Sequence, residues 1–102
     1  MVDKIFKSLA DVNRRKILTI LKDREMTVNE ILKFLNIKQA TLSSHLAILR
    51  KAGLVDFKVA GKLRIYKLNK ETVISFVKKL NGFVNQEDTN TVNEIIVRRK
   101  SD

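Results

Sequence analysis

The segment that most constrains the fold is residues 38–53, in which leucines recur at helical spacing. On a helix with 3.6 residues per turn, Leu42, Leu46 and Leu49 fall on one narrow stripe, which predicts a helix with one buried side. The opposite side carries small, uncharged side chains and ends in two basic residues. Such a surface suits close approach and hydrogen bonding, which indicates a helix that enters the major groove of DNA.

The outward side of this segment supplies candidate contacts to DNA. Glutamine can pair with adenine through two hydrogen bonds, hydroxyl groups can contact bases or phosphates, and an alanine methyl group can contact thymine. Hydroxyl groups in helices also bond the local backbone, and this alternative stays open for Thr41 and Ser43. For His45, a DNA contact and a partly buried structural role both stay open. The predicted contacts of this helix are Lys38, Gln39, Ala40, Thr41, Ser43, Ser44 and His45.

Positive charge is concentrated in the same part of the chain. Residues 1–70 contain 16 Lys and Arg against 6 Asp and Glu, whereas residues 71–102 contain 5 of each. Within residues 38–67 there are seven basic residues and one acidic residue. A basic protein with a merely solvated surface would spread its charge more evenly, so the clustering favours double-stranded DNA as the partner.

Composition argues against several other functions. At 102 residues and 44% hydrophobic content, the chain can form one domain with a core. With no cysteine and one histidine, it offers no disulfide, no thiolate metal site and no constellation of nucleophile and base, so we expect neither a cofactor nor an enzyme. It contains no membrane-length apolar run and no signal-peptide pattern, which predicts a cytoplasmic protein without a membrane partner.

The N-terminal part predicts three short helices. Residues 2–10 form the first, and Asp11 is the expected N-cap of the second. Thr27 and Glu30 have the spacing of a capping box and open a third helix, which we expect to end at Asn36 in the left-handed conformation. A turn of about three residues then leads into the leucine-striped helix, which gives a helix-turn-helix.

After Gly53, the expected end of that helix, the pattern becomes alternating. Residues 54–59 and 62–68 predict two strands joined at Ala60 and Gly61, which form a hairpin, or wing, beside the recognition helix. We expect its inner side to carry Val55, Phe57, Val59, Leu63 and Ile65. The basic residues then fall at the outer side and tip, and Lys58, Lys62 and Arg64 are the predicted wing contacts to phosphates or the minor groove, although each could be merely solvated.

Residues 71–84 return to helical spacing with a broad apolar face. Together with the first helix, this face predicts a homodimer interface, with packing inside one chain as the alternative. Its predicted members are Ile5, Phe6, Leu9, Val73, Phe76, Val77, Leu80, Phe83 and Val84. Residues 1–84 are expected to form the DNA-binding and dimerisation domain, and residues 85–102 a polar extension in which Thr91 could open a short final helix.

This order of elements predicts a winged helix-turn-helix, mainly α with a two-stranded β wing. From Ile5 to about Leu68 the chain also resembles the ArsR-type (ArsR/SmtB-like) family of small dimeric repressors. The resemblance rests on residues 9–18 (LADVNRRKIL), on residues 43–54 (SSHLAILRKAGL) and on the hairpin around Gly61 that leads to Tyr66. It implies a homodimeric transcriptional repressor that binds DNA.

Departures from the family pattern concern its metal sites and one capping position. Metal-sensing members have a Cys-x-Cys pair where this chain has Thr27 and Asn29, which cannot replace thiolates. Other members bind zinc through Asp and His of the last helix, but Glu71 is the only carboxylate in residues 71–84, which contain no histidine. The resemblance therefore implies a member without metal sensing. Lys38 replaces a frequent serine N-cap, so we expect that cap to be lost or moved.

Arg14 and Arg15 match an arginine pair of the family. They lie just inside a helix start, where the helix dipole disfavours cations, so each is expected to have a specific partner. That partner is either an internal carboxylate such as Asp11 or a DNA phosphate.

The sequence thus predicts a dimeric, sequence-specific regulator that binds a pseudo-palindromic operator and represses transcription without sensing a metal. The alternative is a winged helix that serves as a protein–protein interaction module within a transcription assembly. A small-molecule or protein effector is left open, and so is the choice between repression and activation.

Overall fold

The computed structural model describes residues 2–84. The contacts among these residues form two compact units, which are divided between Thr72 and Val73. The elements in chain order are α1 (Val2–Ser8), α2 (Val12–Leu21), β1 (Met26–Thr27), α3 (Val28–Leu32), α4 (Gln39–Lys51), β2 (Val55–Ala60), β3 (Leu63–Leu68) and α5 (Lys70–Asn81). The final helix predicted near Thr91 lies outside the described residues. No helix in the described part is long and apolar enough to cross a lipid bilayer.

The N-caps predicted at Asp11 and Thr27 are both present. An Asp11 carboxylate oxygen accepts hydrogen bonds from the backbone N–H groups of Asn13, at 2.8 Å, and Arg14, at 3.2 Å. The Thr27 hydroxyl oxygen accepts from the Glu30 backbone N–H at 3.3 Å, and the Glu30 carboxylate accepts from the Thr27 backbone N–H at 3.0 Å. These bonds satisfy N–H groups that a helix start otherwise leaves unpaired.

The end of α3 differs from the prediction. The helix stops at Leu32 rather than at Asn36, and hydrogen-bonded turns continue to Leu35. No residue other than glycine has a positive φ in the described part of the chain, so Asn36 is not in the left-handed conformation. The connection to α4 is therefore six residues long, from Lys33 to Lys38, and it is stabilised by local backbone bonds rather than by a left-handed cap.

Helix α4 is anchored as its leucine stripe predicts. Leu42, Leu46 and Leu49 are fully buried. The helix ends in a Schellman motif, in which the Gly53 N–H donates to the Arg50 carbonyl at 2.9 Å and the Leu54 N–H donates to the Leu49 carbonyl at 3.0 Å. Gly53 has a φ of +81°, a conformation that glycine adopts without steric penalty.

The hairpin is part of a three-stranded antiparallel sheet with the strand order β1–β3–β2. The short edge strand β1 was not predicted, because two residues carry no visible alternation. In the tight turn, Gly61 has a φ of +62° and Lys62 does not have a positive φ, which is the type II′ pattern. This turn pairs Ala60 with Leu63 and Phe57 with Tyr66.

That register corrects the predicted inner side of the wing. Residues directly opposite one another in an antiparallel pair share a side of the sheet, so Tyr66 and Arg64 lie on the side of Phe57, whereas Leu63 and Ile65 lie on the side of Lys58. Val59 and Leu63, both predicted to face inward, are 67% and 51% exposed. The one-residue shift between the strands was not visible in the sequence.

Helix α5 is shorter than the predicted residues 71–84. It begins at Lys70, after Asn69, whose side-chain oxygen accepts from the Thr72 N–H at 3.2 Å, and it ends at Asn81. Among its apolar side chains, Ile74 is 54% exposed and Val77 is 48% exposed. At the other end of the chain, Ile5 of α1 is only 4% exposed, so its assignment to a dimer interface is wrong: it belongs to the core of its own protomer.

Candidate nucleic-acid interface

The outward side of α4 presents polar side chains to solvent. Gln39, Thr41 and Ser43 are exposed, and none of them makes a side-chain hydrogen bond within the described residues. Ser44 is exposed as well, and its hydroxyl donates to the Ala40 carbonyl at 3.2 Å. Because this bond uses only the donor of Ser44, its oxygen can still accept. The three leucines hold the helix in place while this polar side stays open.

Lys38 occupies the N-cap position of α4 and makes no side-chain capping bond, so the expected loss of the cap is present. Its side chain is exposed. The first turn of α4 therefore has a nearby cation and no acidic residue. Because unpaired N–H groups at a helix start favour anions, the surroundings of this end suit a phosphate.

His45 lies in a different environment from the other predicted contacts. Its side chain is 12% exposed. The Nδ1 atom lies 3.4 Å from Arg14 Nη1, and the Nε2 atom lies 3.9 Å from an Asp11 carboxylate oxygen. A guanidinium can only donate, so the contact with Arg14 is a hydrogen bond when Nδ1 is unprotonated. The geometry links α4 to the start of α2 through this histidine.

Asp11 takes part in two interactions at once, as N-cap and as neighbour of His45. Burial by itself raises the pKa of its carboxyl group, but hydrogen bonds from the backbone N–H groups of Arg14 and Asn13 lower it, and so do the nearby charges of His45 and Arg14. The net result is a pKa below the usual range. Asp11 is therefore held as a carboxylate at neutral pH.

Arg14 and Arg15 both bond to backbone carbonyls at the end of α1. Arg14 Nε donates to the Ser8 carbonyl at 2.6 Å, with a longer contact of 3.4 Å from Nη2 to the Lys7 carbonyl, and Arg15 Nη1 donates to the Leu9 carbonyl at 2.7 Å. The two partners considered from the sequence were a carboxylate and a phosphate. Apart from the contact of Arg14 with His45, the side-chain hydrogen bonds go to carbonyl groups, where cations are favourable because a helix C-terminus is electronegative.

The predicted wing cations have different surroundings. Lys58 forms a surface ion pair with Glu25, with its Nζ atom 3.1 Å from a carboxylate oxygen. Lys62 is exposed in the turn and forms no ion pair within the described residues. The Cζ atom of Arg64 lies 4.7 Å from the centroid of the Phe57 ring, on the side of the sheet that faces α4 rather than on the outer side.

Comparison with known proteins gives the family of this fold. The profile described as "Bacterial regulatory protein, arsR family" matches residues 11–56. The transcriptional repressor SdpR of Bacillus subtilis is 32% identical over 87 residues, which span 85% of this chain and 97% of SdpR. The chain belongs to the ArsR family.

Two further relatives agree with this assignment. An uncharacterised HTH-type transcriptional regulator of B. subtilis, YuzN, is 39% identical over 83 residues, which cover 74% of this chain and 90% of YuzN. The solved structure of HlyU from Vibrio cholerae superposes with a TM-score of 0.66 at 32% identity and covers 78% of this chain and 87% of HlyU. The fold is the winged helix-turn-helix of ArsR-family regulators, and the protein is a DNA-binding transcriptional regulator.

In this ArsR-family chain, the position of the metal-binding cysteines is occupied by a capping group. The Thr27 oxygen accepts a hydrogen bond from Glu30, and the backbone and side-chain hydrogen bonds with Thr27 keep the pKa of the Glu30 carboxyl below its usual range, although burial partly offsets them. Within residues 2–84 there is no group of three or more His, Cys, Asp or Glu side chains that could hold a metal ion.

Three residues beside the predicted contacts were not predicted from the sequence as part of this candidate interface. A cleft of about 180 Å³ lies between α4 and the sheet of this ArsR-family chain, and Arg50, Phe57 and Tyr66 line it together with Gln39, Ser43 and Arg64. The spacing of Gln39, Ser43, Ala47 and Arg50 places them on one stripe of α4, so Arg50 could have been assigned to this side. Phe57 and Tyr66 resemble ordinary core residues until the strand register is known.

Proposed function

We propose that the protein is a homodimeric repressor in which α4 reads base edges in the major groove and the wing contacts the adjacent backbone. The observation that carries this proposal is that Gln39, Thr41 and Ser43 are exposed. None of the three makes a side-chain hydrogen bond within residues 2–84. Polar groups with free hydrogen-bonding capacity on a rigidly anchored helix are what direct readout requires.

The proposed contacts divide into two kinds. Gln39, Ala40, Thr41, Ser43 and Ser44 would contact bases or the phosphates beside them, whereas Lys38, Lys58, Lys62 and Arg64 would contact phosphates or the minor groove. We assign His45 to positioning α4, because its ring is mostly buried between Arg14 and Asp11. The proposed domain remains residues 1–84, with residues 85–102 as an extension.

Selection of bound duplexes from a random library tests the sequence-specific part of this proposal. A symmetric dimer should enrich two inverted half-sites with centres about 10 base pairs, or one helical turn, apart, or a multiple of that spacing. Enrichment of a single half-site would contradict the dimeric arrangement. Recovery of no common sequence would contradict base readout and favour the protein–protein module instead.

Dimerisation is proposed through the apolar side of α5. Val77 is 48% exposed on this helix, and the neighbouring Ser75 is exposed too. Obligate dimers commonly bury apolar faces of this kind. Val77→Glu should convert the dimer to a monomer in sedimentation-velocity experiments, whereas Ser75→Glu, with the same added charge on the same helix, should stay dimeric. A monomeric wild-type protein at micromolar concentration would contradict the proposal.

Repression is proposed over activation on the similarity to SdpR, which is named a transcriptional repressor. HlyU, which is 34% identical over 77 residues, is named a transcriptional activator, so both directions occur among the relatives. Transcription in vitro from a promoter that contains the selected operator distinguishes them: repression lowers the amount of transcript, and an increase would establish activation. We place this activity, which involves no enzymatic turnover, in the cytoplasm.

Regulation without a metal is proposed from residue chemistry. Thr27 and Asn29 supply a hydroxyl and an amide where soft-metal sensing would require thiolates. Addition of Zn²⁺, Cd²⁺ or a chelator should leave the affinity for the selected operator unchanged. A change of more than about tenfold in affinity, equivalent to about 1.4 kcal/mol, would contradict the proposal. An organic or protein effector remains compatible with it.

A further inference from the structure

Two arginines from different elements converge on one aromatic ring. The Cζ atom of Arg50, in the last turn of α4, lies 4.5 Å from the centroid of the Phe57 ring, and the Cζ atom of Arg64, in β3, lies 4.7 Å from the same centroid. Both distances are within the range of cation–π contacts. The Phe57 ring is thus contacted both by the end of the proposed recognition helix and by the wing.

These two guanidinium groups have no anionic partner in the described part of the chain. The ion pairs within residues 2–84 join His45 to Asp11 and Lys58 to Glu25. Neither Arg50 nor Arg64 takes part in them, and neither makes a side-chain hydrogen bond there. Both side chains are exposed, so their N–H donors are free to bind an anion.

The ring that holds them is itself fixed. Phe57 lies directly opposite Tyr66 in the sheet, with their ring centroids 5.3 Å apart and their planes at 45°. Tyr66 is only 6% exposed, so it is part of the core. Both arginines and Phe57 line the cleft that also contains Gln39 and Ser43 of α4. The two guanidinium groups therefore lie on the same side of the protein as the proposed base contacts.

From this geometry we propose that Phe57 is a positioning residue, which holds Arg50 and Arg64 as a pair for neighbouring phosphates of one DNA strand. The inference rests on the proposed DNA-binding function and adds to it a physical link between the recognition helix and the wing. The planar guanidinium fork suits bidentate contacts with phosphate oxygens. An arginine held on an aromatic ring loses less conformational freedom when it binds, because it is already ordered.

The test measures salt dependence rather than affinity alone. The full chain is titrated against a fluorescently labelled duplex of arbitrary fixed sequence at several KCl concentrations, and the logarithm of the binding constant is plotted against that of [KCl]. Each phosphate contact contributes about 0.9 to the magnitude of this slope. Arg50→Gln and Arg64→Gln should each lower the slope by about one contact, and Phe57→Leu, which keeps an apolar side chain, should lower it by about two contacts.

Combined variants separate positioning from simple packing. In the Phe57→Leu background, Arg50→Gln and Arg64→Gln should lower the salt slope little further, because without the ring the arginines are no longer held in place. Phe57→Tyr should retain the wild-type slope, because it keeps an aromatic ring. Lys62→Gln should lower the slope equally in both backgrounds, because Lys62 lies in the turn and does not contact Phe57. Full additivity of Phe57→Leu with the arginine variants would overturn the inference.

Three further outcomes are decisive. If Phe57→Leu does not fold, the double-mutant cycle between Arg50→Gln and Arg64→Gln is used: coupled losses support a pair, and independent losses reject it. If the wild-type chain binds the duplex with a salt slope that Phe57→Leu leaves unchanged, the inference fails while DNA binding stands. If the wild-type chain binds no duplex at all, the proposed function itself fails.

Discussion

Arg14 and His45 connect the start of α2 to the middle of α4, with Arg14 Nη1 lying 3.4 Å from His45 Nδ1. The same guanidinium donates through Nε to the Ser8 carbonyl at 2.6 Å, so one side chain bridges α1, α2 and α4. The orientation of the proposed recognition helix is therefore tied to helices that carry no base contacts. A substitution of Arg14 should therefore lower the stability of the fold, although it removes no groove-facing side chain.

Arg14→Gln should lower the free energy of unfolding by about 1.5–3 kcal/mol, the range for hydrogen bonds that involve a charged group. Urea unfolding followed by circular dichroism measures this loss. Lys16→Gln is the matched control, because it removes the same charge from an exposed position of α2. The control should stay within about 0.5 kcal/mol of wild type. Equal losses in the two variants would show that charge, not the bridging contact, is responsible.

Thr27→Ala removes the hydroxyl oxygen that accepts the Glu30 N–H at 3.3 Å. The expected loss is about 1 kcal/mol of unfolding free energy, which is typical of an N-cap replaced by alanine. Asn29→Ala, at an exposed position in the same helix, should change stability by less than about 0.5 kcal/mol. The prediction is wrong if unfolding midpoints in urea coincide for both variants.

Acidification should destabilise the fold through Asp11 and Glu30. Both carboxyl groups have a pKa lowered in the folded state, so the stability they contribute is fully present above their ordinary pKa and is lost as the pH falls through the lowered value. The free energy of unfolding should therefore decrease below about pH 4. It is measured by urea unfolding between pH 7 and pH 3.

The double variant with Asp11→Asn and Glu30→Gln checks the origin of this pH dependence. It should be less stable than wild type at pH 7, and the difference between the two proteins should narrow towards pH 3, where the wild-type carboxylates become protonated. Curves that remain parallel over the whole range would assign the acid sensitivity to other groups.

Gly53→Ala should destabilise the protein through its backbone conformation rather than through a clash. A Cβ atom at this position would lie 3.8 Å from the nearest atoms, those of the Thr72 side chain, which is ordinary van der Waals contact. The φ of +81° is what opposes a side chain, and the expected loss is about 1–2 kcal/mol. Gly53→Asn should lose less, because asparagine tolerates this conformation better. A higher melting temperature for Gly53→Ala than for Gly53→Asn in thermal unfolding would contradict this explanation.

Base readout and phosphate contact should respond differently to mutation. Gln39→Ala should reduce the preference for the selected operator over other duplexes by about 1–3 kcal/mol, because it removes a paired contact to one base. Lys62→Ala should weaken binding to all duplexes similarly and lower the salt slope by about one contact. Competition binding at one fixed salt concentration measures the preference, and titrations at several KCl concentrations measure the slope. Identical behaviour of the two variants would reject the assignment.

Local signals made much of this fold predictable. The helical spacing of the leucines at 42, 46 and 49 is enough to predict that they are buried. The capping groups of Asp11 and Thr27 bond to backbone N–H groups no more than three residues away. Gly53 likewise ends α4 through bonds made inside the helix terminus. Each of these features depends on residues close together in the chain, so the sequence contains the whole interaction.

Features that depend on distant partners were not predictable in the same way. The strand β1 exists because Met26 and Thr27 pair with Tyr66 and Ile65. The side of the sheet that Arg64 occupies follows from the strand register, which neither strand determines alone. The acceptors of Arg14 and Arg15 are backbone carbonyls, and because every residue has one, side-chain types gave no sign of which would be used.

Cations that are bonded within the protein affect DNA binding differently from cations that contact phosphates. Arg14 and Arg15 donate hydrogen bonds to backbone carbonyls, so these donors do not contact phosphates, although both residues count towards the net charge of +10. Long-range attraction depends on the summed charge and sets the rate of encounter. Counterion release depends only on the phosphates that are contacted. The association rate can therefore respond to every charged residue, while the equilibrium salt dependence reports a smaller set.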